Sequence, residues 1–205
     1  MGPEPGRRPR RLAAAELNAA SPAPGGPPAA TGDGRVGSLR FRPMQIRDAV
    51  ESDWPAMWAF MRPIIEAGET YPWPPDTTES WTRAYWMERP APASRLVAEI
   101  DGRIAGTVEI HPNLPGQGSH VANAGFMVDP AFGRRGVGRA LGEAALARAA
   151  ADGFTAMQFN AVVATNTHAV RLWHSLGMET LALIPKGFRH PTRGLVDMHL
   201  MFREL

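Results

Sequence analysis

The segment Val128-Asp129-Pro130-Ala131-Phe132-Gly133-Arg134-Arg135-Gly136-Val137-Gly138-Arg139-Ala140-Leu141 carries the most structural information in this chain. An apolar run ends at Val128, a turn rich in Gly and Arg follows, and an Ala- and Leu-rich stretch predicts a helix over Val137–Ala151. Gly136 and Gly138, one residue apart, let main-chain N–H groups approach an anion with no Cβ in the way. A helix start adds partial positive charge, and Arg134, Arg135 and Arg139 can reach phosphate oxygens. Strand, turn and helix together therefore predict a diphosphate site built on the main chain of Gly136, Val137 and Gly138. A dinucleotide fingerprint needs a further glycine, and a P-loop needs Gly-Lys-Ser/Thr; neither pattern is present.

Outward from that turn, the chain alternates. His120–Val128 reads as a nearly continuous apolar strand before it, and Thr155–Val163 as another buried strand after the helix. Asn166–Ser175 reads as a helix that Gly177 ends, followed by strands Met178–Ile184 and Val196–Phe202. Upstream, Leu39–Arg47 reads as a first strand. Asp53 is placed to cap a helix beginning Trp54-Pro55, with Pro63 set to kink or shorten it. Gly68–Pro75 is a loop rich in Pro and aromatics, Thr78–Glu88 a short helix, and Arg95–Ile100 with Ile104–His111 a hairpin across Asp101-Gly102. The order β, α, α, β, β, β, α, β, α, β, β is that of a mixed α/β (α+β) sheet with one parallel crossover through Val137–Ala151.

Composition bounds the function. The chain has 205 residues, 44% of them apolar, enough for one domain with a core. Cysteine is absent, which removes disulfides, a thiolate nucleophile and cysteine-based zinc sites; no metal is expected. No apolar run is long enough for a membrane span. The net charge of +2 is misleading. Arg7, Arg8, Arg10, Arg11, Arg35, Arg40 and Arg42 outweigh Glu4, Glu16 and Asp33, so the rest of the chain is slightly acidic and no nucleic-acid partner is expected. Residues 1–38, mainly Pro, Gly, Ala and Arg, are expected to be a disordered tail, and 39–205 the folded domain. Arg7-Arg8 is not followed by the apolar stretch of an export signal, and a cytoplasmic protein is the expectation.

Residues 44–205 resemble the GNAT superfamily of N-acetyltransferases. The turn resembles that family's Arg/Gln-x-x-Gly-x-Gly/Ala loop, with Gly133 standing where the family has its leading Arg or Gln. Asn166-Thr167-His168-Ala169-Val170-Arg171-Leu172-Trp173, then Leu176-Gly177-Met178, resembles the family's Asn-x-x-Ala-x-x-Leu-Tyr…Gly-Phe segment. The resemblance implies acetyl-CoA as cofactor and a mixed sheet of roughly six to seven strands with about four helices, two parallel strands splayed for the cofactor. It implies that main-chain groups of Phe126, Met127 and Val128 pair with the pantetheine, one N–H serving as oxyanion donor. It also places Asn166 and Trp173 near the pantetheine arm. Trp173 replaces the family's usual Tyr, and an indole N–H is no acid at neutral pH.

Asn123 and Asn160 interrupt two apolar runs, and a buried amide without partners costs ~1–3 kcal/mol. They either tie strands together or face the cleft. Ser119–Phe126, Phe159-Asn160 and Ala164-Thr165-Asn166 are similar to the fungal azetidine-2-carboxylate acetyltransferases. That similarity implies catalytic roles for both asparagines and a small amine or imino acid as acceptor. His120 is the expected base, with Glu109 a second candidate expected on a solvated sheet edge. Tyr71 and Trp73 are expected to cover the acceptor, and Arg189 to meet a substrate carboxylate. Competing readings are a protein or peptide N-acetyltransferase and a non-catalytic acyl-CoA-binding module. A homodimer is a further implication of the family.

Overall fold

The structure, a computed structural model, describes residues 43–205. The expected tail, residues 1–38, and the start of the strand expected from Leu39 lie outside the described residues. The elements are β1 (Gln45–Asp48), α1 (Trp54–Ala67), α2 (Glu79–Met87), β2 (Ser94–Ile100), β3 (Arg103–Pro112) and β4 (Val121–Val128). After them come α3 (Val137–Ala151), β5 (Ala156–Val163), α4 (Thr167–Ser175), β6 (Glu179–His190) and β7 (Gly194–Glu204). The strands form one seven-stranded sheet in the order β1-β2-β3-β4-β5-β7-β6. Among the described residues only β4 and β5 pair in parallel, joined through α3; the other neighbours are antiparallel.

Strand alternation sends side chains to two apolar layers. Val108, Ile110, Ala122, Ala124 and Phe126 face a core filled by Leu141 and Ala145 of α3 and Trp173 of α4. Val97, Ile104 and Met127 face the other layer, closed by Trp54, Met57, Met61 and Ile65 of α1 and Trp86 of α2. Helix α3 buries Val137, Leu141, Ala145 and Ala149, one residue per turn. It packs closely on α4: a methyl on Gly142 would lie 2.5 Å from Leu176 Cδ1 and 3.1 Å from Trp173 Cζ3.

Three local expectations change. Asp53 sits at the N-cap of α1, but its side chain makes no cap bond. Its carboxylate instead takes Arg47 Nη1 and Nη2 at 2.7 and 2.8 Å and Val50 N–H at 2.9 Å, because a guanidinium fork is the stronger partner. Helix α1 runs through Pro63 to Ala67 and stops where Gly68 turns left-handed, φ 60°. Strand β6 continues past Ile184 to His190, its ladder with β7 broken between Ile184 and Phe188; Lys186, at φ 55°, is the bulge that a strand pattern conceals.

Candidate active site

The parallel pair is the origin of the site. Strands β4 and β5 are in register only at Val121↔Ala156 and Ala122↔Met157. Beyond these residues they part, and β5 leaves its ladder with β7 between Phe159 and Val162. Aromatic rings fill the angle on the α4 side: Phe126 lies 4.6 Å from Trp173 and 5.6 Å from Phe159, and Phe159 lies 4.9 Å from Trp173, centroid to centroid. Trp173 is buried by these contacts.

At the C-terminal end of β4 the turn opens onto α3. Gly136 is the N-cap at φ 80°, with no side chain capping the helix. The first amide of α3 with a main-chain partner is Ala140, onto the Gly136 carbonyl. The amides of Gly136, Val137, Gly138 and Arg139 therefore form the open donor set of a helix start, and a methyl on Gly136 would meet nothing within 4 Å. Glycine at a left-handed position and uncapped amides fit a diphosphate. Arg134 takes a positive φ of 61° and is exposed, and Arg135 lies 5.4 Å over Phe132. Arg139 is turned toward α4, donating to Ser175 Oγ at 2.7 Å. Asn166 caps α4, its Oδ1 accepting from Ala169 N–H at 3.2 Å.

A cavity of about 310 Å³ opens where the strands part, and its wall includes Tyr71, Trp73, Glu109, Asn123, Asn160 and Trp173. Phe126 and Asn166 also reach it. Tyr71 and Trp73 meet edge to face at 4.6 Å, and Tyr85 of α2 stands 5.0 Å from Trp73. Burial pushes the Tyr71 phenol well above its ordinary pKa, and the charge of Glu109 adds to it. Asn123 is half-buried, its Oδ1 held by Ala124 N–H at 2.8 Å. Asn160 is exposed where the β5 ladder breaks; it donates to Asn113 Oδ1 at 2.7 Å and accepts from Gln158 at 2.8 Å. The two amides thus stand across the parting from each other, neither in an apolar interior.

Two expected residues do not join this wall. His120 is exposed at the closed end of the parting, just before the paired residues Val121 and Ala122, with its ring on the Gln117 carbonyl at 3.0 Å. Arg189 is exposed on β6, separated from the parting by β7. Conversely, Glu109 is buried at 3% exposure, since β3 is an inner strand and not an edge. Its partner His111, Nδ1 to Oε2 at 2.7 Å, has no place in the sequence reading. Polar residues at 107, 109 and 111 in an otherwise apolar strand were the available signal.

Residues 58–178 match the model of the acetyltransferase (GNAT) family. The chain belongs to that family. It is 33% identical over 156 residues to the N-acetyltransferase aca1 of Schizosaccharomyces pombe, covering 69% of this chain and 75% of that protein. A GCN5-related N-acetyltransferase from Kribbella flavida superposes with a TM-score of 0.76 at 47% identity, over 79% of this chain and 98% of that one. The acetyltransferase yncA from Salmonella typhimurium, solved with acetyl-CoA, shares the fold at a TM-score of 0.72 and 22% identity, over 80% of this chain and 95% of that one. Acetyl-CoA is the cofactor of this GNAT acetyltransferase, and the open amides before α3 suit its diphosphate.

Proposed function

We propose that this enzyme acetylates the nitrogen of a small free amine, an amino or imino acid such as azetidine-2-carboxylate. The observation that carries the reading is the size and aromatic lining of the cavity. About 310 Å³ is at the small end of ligand pockets, and Tyr71, Trp73 and Tyr85 wall it with rings where a peptide acceptor would need an open groove. Bound acetyl-CoA supplies an activated acyl carbonyl. Amides of Gly136 to Arg139 hold the diphosphate, and Arg134 and Arg135 add charge at its edge. N–H groups of Phe126 to Val128 that face the parting donate to the oxygen on which charge develops. Asn123 and Asn160 orient the acceptor from opposite strands. Trp173 packs under the site and moves no proton.

The test is thiol release from acetyl-CoA, screened over proline analogues, free amino acids, polyamines and peptides. Asn123→Ala and Asn160→Ala are expected to lower turnover while acetyl-CoA affinity stays near wild type; wild-type turnover in both removes the amides from the mechanism. Exposed Leu181, Leu183 and Leu195 on the outer hairpin support a homodimer, and a monomer by light scattering would exclude it.

A further inference from the structure

Strand β3 holds a hydrogen-bonded Glu–His pair that the amide mechanism leaves idle. Glu109 and His111 point to the same sheet face, opposite Gly125 and Asn123 of β4 in register. His111 Nδ1 donates to Glu109 Oε2 at 2.7 Å, and both side chains are buried, at 8% and 4% exposure. The other oxygen, Oε1, receives no hydrogen bond among the described residues. It lies 3.0 Å from where a methyl on Gly125 would sit, beside the Tyr71 hydroxyl, and Glu109 reaches the cavity wall. Among the described residues Ser94 Oγ is the one buried side-chain atom without a partner, so Oε1 is open to the cavity, where a cation can meet it. Of the charged groups nearby, Arg95 of β2, in register with Glu109, donates to the Trp86 and Arg89 carbonyls, and Arg89 covers the Tyr85 ring at 4.0 Å. Tyr71 and Tyr85 remain neutral phenols, both raised in pKa by burial first and by Glu109 second. The position facing Oε1 is therefore bordered by aromatic rings and one carboxylate, the surroundings that favour an organic ammonium.

We infer that the acceptor enters as its ammonium ion, held against Glu109 Oε1 among Tyr71, Trp73 and Tyr85, and that Glu109 takes the proton. His111 is the positioning residue that fixes the carboxylate. The step balances. One N–H bond of the ammonium breaks, the proton passes to Glu109, and the freed lone pair forms the N–C bond as the C–S bond breaks. The electron pair leaves with the thiolate, which takes the second proton from the acylated nitrogen to give the neutral amide and coenzyme A thiol, and Glu109 returns its proton to solvent between turnovers. This rests on the cavity being the acceptor site, so the test separates the two.

Pyrrolidinium chloride and its uncharged ring analogue cyclopentanol are titrated against the acetyl-CoA-loaded protein by tryptophan fluorescence. Wild type is expected to prefer the cation at least about tenfold, which is ~1.4 kcal/mol, and Glu109→Gln to lose the preference. No preference in wild type, including no binding of either, overturns the inference whatever the natural acceptor is. With any acceptor the screen finds, Glu109→Gln is expected to lower kcat/KM at neutral pH and to recover about tenfold per pH unit as the neutral amine accumulates. A loss equal at every pH overturns the proton step. His111→Gln is expected to shift the acidic limb of the wild-type profile without changing acetyl-CoA affinity; an unmoved limb removes its positioning role. A screen that finds no small-amine acceptor, with the cation preference intact, fails the proposed substrate class and leaves the ammonium site standing.

Discussion

Replacing Gly125 by alanine tests the site where three elements meet. The added methyl would lie 2.1 Å from the Tyr71 hydroxyl oxygen, 3.0 Å from Glu109 Oε1 and 3.4 Å from Trp86 Cη2. The last is ordinary contact and the second tight, but the first cannot stand, so the Tyr71 ring must leave its place against Trp73. Overpacking of this kind costs ~1–3 kcal/mol. Alanine in place of a strand glycine returns about 0.5–1 kcal/mol, so a net loss of roughly 0–2.5 kcal/mol, centred above ~1 kcal/mol, is expected. For a chain of this size that lowers Tm by ~2–4 °C per kcal/mol. Tyr71→Phe deletes the clashing atom itself, so the double variant is expected to recover most of the loss. A double-mutant cycle by thermal melting then shows a coupling of ~1–2 kcal/mol. In parallel, the acceptor KM rises in Gly125→Ala while acetyl-CoA affinity holds. Additive effects in the cycle, or a Gly125→Ala protein that melts at or above wild type, would refute the reasoning, because the hydroxyl would then not stand over residue 125.

Gly136→Val is expected to weaken acetyl-CoA binding by calorimetry and to lower stability by about 1–2 kcal/mol, the cost of a left-handed residue with a Cβ; unchanged affinity would move the diphosphate elsewhere. The hydrogen bonds from Arg47 hold Asp53 below the usual carboxylate range against the opposing effect of burial. A depressed folded-state pKa gives stability that is present above the unfolded pKa and lost as pH falls through the folded one. Asp53→Asn is therefore expected to cost about 1.5–3 kcal/mol at neutral pH, with the gap to wild type closing in acid; a gap independent of pH in denaturant melts would count against the ion pair.

The fold was legible because its elements announce themselves locally. The residues Val137 to Ala151 form the helix that their periodicity and the preceding glycines indicate, and the element order follows from similar signals. The turn before α3 was legible as structure for the same reason, since a glycine at φ 80° and the helix that starts after it are properties of contiguous residues. The wall of the cavity was not. Glu109 looks like a solvated edge residue until strand order puts β3 inside the sheet, and His120 looks poised until the parting of β4 and β5 is seen to begin after it. Asn160 owes its exposure to a ladder break that no residue type signals. Such features depend on which strands become neighbours, and a linear pattern carries little of that information.

The ring cluster of Phe126, Phe159 and Trp173 has a consequence for the shape of the cavity. The three rings fill the wedge on the α4 side, so side-chain packing and not sheet hydrogen bonding spans the gap between the strands there. A gap held by packed rings gives up adaptability for a fixed shape: enlarging it means moving three aromatic side chains together, where a backbone ladder would yield one bond at a time.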